Sequence, residues 1–230
     1  MPRPPQLSPA ATSIKGSVYS SVLHRLAAYE GEVYPLHVGD TFLEPADGCR
    51  MEDLTVATHP GMHRYAPPQG LPALVGAVVD RLRARTGVPL ERANVFVAGG
   101  GTSGLASVVG AIVSPGDEVL ILAPHWPLIE GHVRMAGGVP VDVPFFGVAD
   151  SASTAVAVVE AALSSRSVAI YLNTPSNPTG RVIPRVWLEA LVGLSRRYGL
   201  WLLFDEVYED YVYLGEHVPG LSLAPERAFA

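Results

Sequence analysis

Residues 168–206 decide the fold class and read VAIYLNTPSNPTGRVIPRVWLEALVGLSRRYGLWLLFDE. Two apolar runs, Val168–Leu172 and Leu200–Phe204, stand at either end of this stretch. Between them, Pro184–Tyr198 has a proline at its start and is followed directly by Gly199, the asymmetry that is typical of a helix. Two continuous apolar strands joined by a helix predict parallel pairing within a sheet that is covered on both faces.

The same alternation of strand and helix extends towards the N-terminus. Leu71–Thr86 is predicted as a helix, because it has a proline at its second position and Gly87 just beyond its end. Further strands are predicted at Asn94–Ala98, Glu118–Leu122 and Val139–Val143, and further helices at Ser103–Val113 and Thr154–Leu163. We therefore expect an α/β fold of three layers (αβα) around a mostly parallel sheet.

The first part of the chain differs from the rest. It is rich in Pro, Ser and Ala and then weakly helical over Val18–Tyr29. We expect residues 1–38 to form an N-terminal arm with a short helix, and residues 39–230 to form one large domain that is incomplete at its C-terminal end.

Composition excludes several classes of function. The 230 residues are 48% hydrophobic and carry a formal net charge of −6, which argues against a nucleic-acid partner. Cys49 is the single cysteine, so no internal disulfide framework and no thiolate metal cluster is expected. The first residues lack an apolar signal core, and the uncharged stretch Ala93–Gly116 is interrupted by glycines and a proline. We expect a cytoplasmic protein with no membrane partner.

A glycine-rich turn, Gly99–Gly104, follows one predicted strand and opens a helix. Its backbone N–H groups could hold an anion such as a phosphate, and a plain tight turn is the structural alternative. Gly99, Gly101 and Gly104 also match G-x-G-x-x-G, which leaves a nicotinamide-dependent dehydrogenase open. The next strand ends without the acidic residue that would hold a ribose, and no lysine follows the glycines to complete a P-loop.

Three other loops directly follow predicted strands, where ligands of parallel sheets bind. Asp205 ends one strand, and it is either a helix-capping or surface acid or the partner of a protonated ring nitrogen. A Walker-B-like metal-binding acid is not expected, because the P-loop that would accompany it is absent. Asn177 lies in the loop Asn173–Gly180, which two prolines stiffen. Trp126 follows a third strand, where it is either part of the core or a plate for a flat ring.

Several segments together resemble the class I/II, fold-type-I aminotransferases, which use pyridoxal 5′-phosphate (PLP). The most specific are NTPSNPTG at Asn173–Gly180 and FDEVY at Phe204–Tyr208. YAPPQGLP at Tyr65–Pro72, the glycine-rich Val97–Leu105 and MAGG at Met135–Gly138 match as well. The resemblance runs from about Val33 to the end of the chain.

The resemblance implies a role for each cofactor-binding position. Gly101, Thr102 and Ser103 would hold the phosphate, and Trp126 would stack on the pyridine ring. Asp205 would pair with the ring nitrogen and keep it protonated.

It also implies contacts to the rest of the cofactor and to the substrate. Asn177 and Tyr208 would hydrogen-bond to the phenolic oxygen of the ring. Tyr65 would reach the phosphate of a neighbouring subunit, which implies a homodimer. Gly39 would contact the carboxylate of the substrate, an amino acid or a 2-oxo acid.

One residue that the family needs has no match. Family members attach the cofactor to a lysine that lies beyond the aspartate, whereas the single lysine here is Lys15. We expect a partial sequence of a longer aminotransferase, unstable and inactive as a piece, although a natural short chain that binds PLP weakly or not at all remains an alternative. A PLP-dependent β-lyase or a cyclopropane-forming (ACC-synthase-like) enzyme on the same scaffold also stays open, as does a non-catalytic PLP-binding regulator.

Overall fold

The computed structural model describes residue 4 and residues 6–14, 22–34 and 43–230. Gly39, Lys15 and the expected boundary between arm and domain at residues 38 and 39 lie outside these ranges. Two short helices stand in the N-terminal part, α1 (Pro9–Ser13) and α2 (Leu23–Ala27).

The remaining helices are α3 (Pro72–Thr86), α4 (Gly101–Ile112), α5 (Leu128–Met135), α6 (Ala152–Ala161), α7 (Arg185–Tyr198) and α8 (Gly220–Leu223). The helices α3, α4, α6 and α7 correspond to predicted helices, whereas the sequence predicted neither α5 nor α8. Single 3-10 turns occur at Met51–Asp53 and Arg92–Asn94. The helices α3 and α7 end as predicted, because Gly87 and Gly199 adopt φ values of 69° and 70°, which an L side chain rarely tolerates. The helix α6 begins two residues earlier than predicted, since the Ser151 side chain accepts the N–H of Thr154.

All strand pairs in the sheet are parallel. The strands are β1 (Glu118–Ala123), β2 (Val139–Pro144), β3 (Ser167–Asn173), β4 (Trp201–Asp205) and β5 (Ala228–Phe229). They lie in the order β2-β1-β3-β4-β5. The predicted parallel α/β fold is confirmed.

One predicted strand is wrong. Asn94–Ala98 is not a strand: a 3-10 turn ends at Asn94, and the N–H of Val97 donates to the carbonyl of Gln69 at 2.9 Å. Phe96 is 64% exposed. An apolar run favours an extended backbone, but a strand also needs a neighbour, and no described strand pairs with this one.

Alternate residues of the strands face two separate cores. One face packs against α6 and α7 through residues such as Leu120, Ile170 and Leu202. The opposite face packs against α4 and α5, and we call this the α4/α5 core; its buried members are Val109, Val113, Val119, Ile121, Ile129, Val133, Ala169, Tyr171 and Leu203. The sheet is thus the middle layer of three, as predicted.

Strand direction and helix direction bring the candidate loops to one side. Parallel strands have all their carboxyl ends at the same edge. The last turn of α4 lies at the opposite edge, because a Cβ on Gly138, before β2, would stand 2.5 Å from Cγ1 of Val113. The N-terminus of α4 therefore points to the carboxyl edge. No helix in the described ranges is long and apolar enough to cross a membrane.

Candidate active site

Two neighbouring strands, β3 and β4, end next to each other at the carboxyl edge. The last residues of β3 and β4, Asn173 and Asp205, are register partners. The Asn173 amide donates to the Asp205 carbonyl at 2.9 Å, and its oxygen accepts the N–H of Asn177 at 2.5 Å. Asn173 thus links the loop that carries Asn177 to the strand that presents Asp205.

The Asp205 carboxylate is held from below by a buried hydroxyl. Tyr171 on β3 is fully buried and donates its O–H to Oδ2 of Asp205 at 2.5 Å. Burial, together with the negative charge of Asp205, raises the pKa of the Tyr171 hydroxyl well above its usual value, so this group stays a donor.

The other oxygen, Oδ1 of Asp205, accepts the N–H of Val207 at 3.3 Å. Within the described ranges, no arginine, lysine or histidine nitrogen lies within 4.0 Å of this carboxylate. A carboxylate fixed on one side and without a cationic partner can accept a cationic N–H from a ligand.

Sequence reasoning missed Tyr171 and gave Asn173 no role of its own. The available signal was a hydroxyl inside the apolar strand VAIYL, because a buried hydroxyl needs a hydrogen-bond partner. The sequence alone could not say that the partner would be Asp205.

The glycine turn opens α4 with free backbone donors. Gly100 precedes the helix with φ 87°, and no side chain caps it. The first hydrogen bond of the helix runs from the N–H of Gly104 to the carbonyl of Gly100 at 3.1 Å. The N–H groups of Gly101, Thr102 and Ser103 precede that bond and have no partner within the helix. A Cβ on Gly100 or Gly101 would meet nothing within 4 Å, so the turn has open space in front of it.

Trp126 connects these features through the core. It lies between β1 and α5 and packs, half-buried, against the α4/α5 core. Tyr171 belongs to the same core, and Leu105 from the beginning of α4 packs against it as well. The structure therefore brings Trp126, the Tyr171–Asp205 pair and the helix behind the glycine turn to one part of the molecule.

Other predicted positions are exposed or make no side-chain hydrogen bond to the described protein. Tyr65 is fully exposed in an irregular segment, and Tyr208 is 37% exposed in the turn after β4. Within the described part of the chain, neither the Asn177 amide nor the Tyr208 hydroxyl makes a hydrogen bond to protein. Gly39 lies outside the described residues. The roles assigned to these residues remain predictions.

Comparison with known proteins identifies the family. The model of the aminotransferase class I and II family matches residues 36–228. The chain belongs to this family. The match confirms the resemblance predicted from the NTPSNPTG and FDEVY segments, and it favours an aminotransferase over the nicotinamide-dependent dehydrogenase.

Individual relatives agree with this assignment. The chain is 39% identical over 167 residues to a probable aspartate/prephenate aminotransferase of Thermus aquaticus, covering 73% of this chain and 43% of that protein. It is 34% identical over 163 residues to an arginine–pyruvate transaminase of Pseudomonas aeruginosa, covering 71% of this chain and 41% of that one.

Among solved structures, an aspartate aminotransferase from Thermus thermophilus with maleate superposes with a TM-score of 0.85 at 32% identity. That match covers 97% of this chain and 59% of the other. An alanine aminotransferase from Pyrococcus furiosus superposes with a TM-score of 0.82 at 27% identity, covering 95% and 56%. The chain thus spans about half the length of the proteins that it matches.

Proposed function

We propose that this chain is the cofactor-binding part of a PLP-dependent aminotransferase, which moves an amino group between an amino acid and a 2-oxo acid. One observation carries the proposal. The Asp205 carboxylate, which has no cationic partner among the described residues, is held by a buried tyrosine near Trp126, at the sheet edge to which the open glycine turn also points. Family membership supports PLP as the ligand of these parts.

The cofactor's phosphate fits the first turn of α4. The N–H groups of Gly101, Thr102 and Ser103 and the two hydroxyls would bind a dianion, and the positive end of the helix dipole favours it. The turn is open, so the phosphate would displace no side chain.

The cofactor's ring would stack on Trp126 and pair with Asp205. The indole offers a flat apolar face, and Oδ1 of Asp205 can accept the hydrogen bond of a protonated ring nitrogen. Tyr171 keeps the carboxylate in place by occupying its other oxygen. When bound, PLP supplies a ring that withdraws electrons from the amino acid's α-carbon, and a protonated ring nitrogen strengthens that effect.

Further contacts in the proposal follow from the family resemblance. Asn177 and Tyr208 would donate to the phenolic oxygen of the ring, and Gly39 would contact the substrate carboxylate. Full exposure of Tyr65 suits a residue that reaches into a second subunit, so we include a homodimer in the proposal. Residues 1–38 would be an arm and residues 39–230 the PLP-binding domain.

The single lysine bears on whether the chain can attach the cofactor covalently and transaminate. Lys15 is the single lysine of the sequence, and it does not follow the aspartate as in the family. We therefore propose that this chain binds PLP without a covalent bond and does not transaminate by itself.

The test is PLP titration of the 230-residue chain, followed by tryptophan quenching and by cofactor absorbance. Asp205→Asn should weaken binding, because the amide has no charge to pair with the ring nitrogen. Asp80→Asn is the matched control, since it removes the same charge from a side chain that is 80% exposed on α3. The ion pair of Asp80 with Arg83 is long, at 3.9 Å. Equal affinity of both variants would contradict the proposed site, and a band that borohydride fixes would show that Lys15 attaches the cofactor after all.

A further inference from the structure

His125, the residue before Trp126, lies in an unusual set of contacts. Its side chain is only 7% exposed. Nδ1 lies 3.0 Å from the carbonyl oxygen of Trp126, and Nε2 lies 3.0 Å from Oδ1 of Asp142 on β2. Oε1 of Glu130 on α5 lies 3.8 Å from the same Nε2.

Every one of these partners is an acceptor. A neutral imidazole has one N–H, so one of its two nitrogens would place a lone pair against a carbonyl or carboxylate oxygen. Only an imidazolium, with an N–H on each nitrogen, satisfies both 3.0 Å contacts. The two acids balance its charge, and Glu130 is shared with Arg134 at 3.3 Å.

The connection that His125 holds is short. β1 ends at Ala123 and α5 begins at Leu128, so residues 124–127 carry Trp126 past the end of the sheet. The His132 ring lies 6.0 Å from the indole of Trp126, centroid to centroid. The contact from His125 ties the backbone of this connection to β2 at the edge of the sheet.

We propose that His125 is a positioning residue: its imidazolium fixes the backbone at Trp126, so that the indole holds its place only while both ring nitrogens carry protons. This inference rests on the role proposed above for Trp126. It makes that part of the site sensitive to pH in the range where histidine titrates. As pH rises, the ring loses a proton, a lone pair faces an acceptor, and the connection loosens.

The charged groups that face His125 in the described chain are few. Asp142 comes from β2, and Glu130 with its partner Arg134 comes from α5. His132, also on α5, lies against the indole, and burial lowers the pKa of its ring. Lys15 lies outside the described residues.

The experiment is a pH titration of Trp126 fluorescence between about pH 5 and 8, the interval in which histidines titrate, without PLP. The signal of Trp126 is the part that Trp126→Phe removes, which separates it from Trp187 and Trp201. We expect a transition in the wild-type chain and its loss in His125→Gln, whose amide can still donate to Asp142 but does not titrate. His132→Gln should keep the transition.

Asp142→Asn provides a second variant that leaves the ring intact. The oxygen of an asparagine amide can accept a hydrogen bond from an imidazolium, and its NH₂ group, with the amide turned, can donate to a neutral ring. Because the contact survives in both protonation states, the pH transition in Trp126 fluorescence should flatten. Asp80→Asn, an equal loss of charge far from this connection in sequence, should leave it unchanged. Far-UV circular dichroism identifies a variant that does not fold, and if His125→Gln fails this check, the Asp142→Asn profile decides alone.

Three results would overturn the inference. The transition could survive in both His125→Gln and Asp142→Asn, or it could vanish in His132→Gln. Alternatively, added Zn²⁺ could bind the wild-type chain and fail to bind His125→Gln, which would make the three side chains a metal site rather than an ion pair. Because PLP is absent throughout, these results are independent of the PLP titration that tests the proposed function.

Discussion

Removing the hydroxyl of Tyr171 is the most direct test of the site's foundation. Tyr171→Phe deletes one oxygen from a fully buried side chain and leaves the aromatic ring in the α4/α5 core. What disappears is the 2.5 Å hydrogen bond to Oδ2 of Asp205. No cavity larger than one atom is created, so the hydrogen bond accounts for the expected effect.

The magnitude follows from the charge of the acceptor. Hydrogen bonds to charged groups contribute about 1.5–3 kcal/mol, and Asp205 is only partly buried, so water replaces some of the loss. We expect the free energy of unfolding to fall by about 1.5 kcal/mol, which for a chain of this size corresponds to about 3–6 °C in Tm. Urea unfolding at neutral pH, followed by circular dichroism, measures the difference.

The matched control is Tyr198→Phe. The Tyr198 hydroxyl also donates to a carboxylate, Oε1 of Glu160 at 2.7 Å, but this tyrosine is 48% exposed. Exposed pairs contribute little, so a change below about 0.5 kcal/mol is expected. If the two variants lose the same stability, or if Tyr171→Phe is the more stable protein, the buried hydrogen bond does not hold Asp205 in the way described.

Three more predictions concern packing and charge. Gly138→Ala places a methyl group 2.5 Å from Cγ1 of Val113, and overpacking of this kind should lower the free energy of unfolding by about 1–3 kcal/mol in a urea titration. Hydrogen bonding from Ser164, and then the Arg166 guanidinium, lowers the pKa of Glu118. The contribution of Glu118 to the free energy of unfolding is therefore present above its unfolded-state pKa and is lost as pH falls through its folded-state pKa. Unfolding midpoints between about pH 5 and 2 should drop more steeply in the wild type than in Glu118→Gln. Gly199→Ala should lower the free energy of unfolding by about 1–2 kcal/mol, because φ at this position is 70°. Gly193→Ala lies inside α7, where a Cβ meets open space, and should raise the free energy of unfolding by up to about 1 kcal/mol. The Tm values of the two variants should therefore shift in opposite directions in thermal melts.

Local signals in the sequence predicted most of the fold. The limits of α3 and α7 follow from the proline and glycine at their ends, because those residues act within one turn of the helix. The strands β1, β3 and β4 follow from continuous apolar runs, and β2 follows the Gly137–Gly138 turn. The short α5 gave no such signal, since a glycine stands inside LIEGHVRM.

What the sequence could not predict depends on neighbours. Asn94–Ala98 has the composition of a strand, yet pairing requires an adjacent strand that composition does not reveal. The bond between Tyr171 and Asp205 depends on the register of β3 against β4, in which Asn173 lies opposite Asp205. The contacts of His125 likewise require β2 to lie beside β1.

The tyrosine beneath Asp205 is also part of the hydrophobic interior. Close packing between the sheet and two helices therefore helps to fix the location of the negative charge. Loops around such an anchor can change in length or composition while the carboxylate keeps its place. If Asp205 pairs with a cofactor as proposed, a substitution deep in that interior would weaken the pairing without touching the ligand.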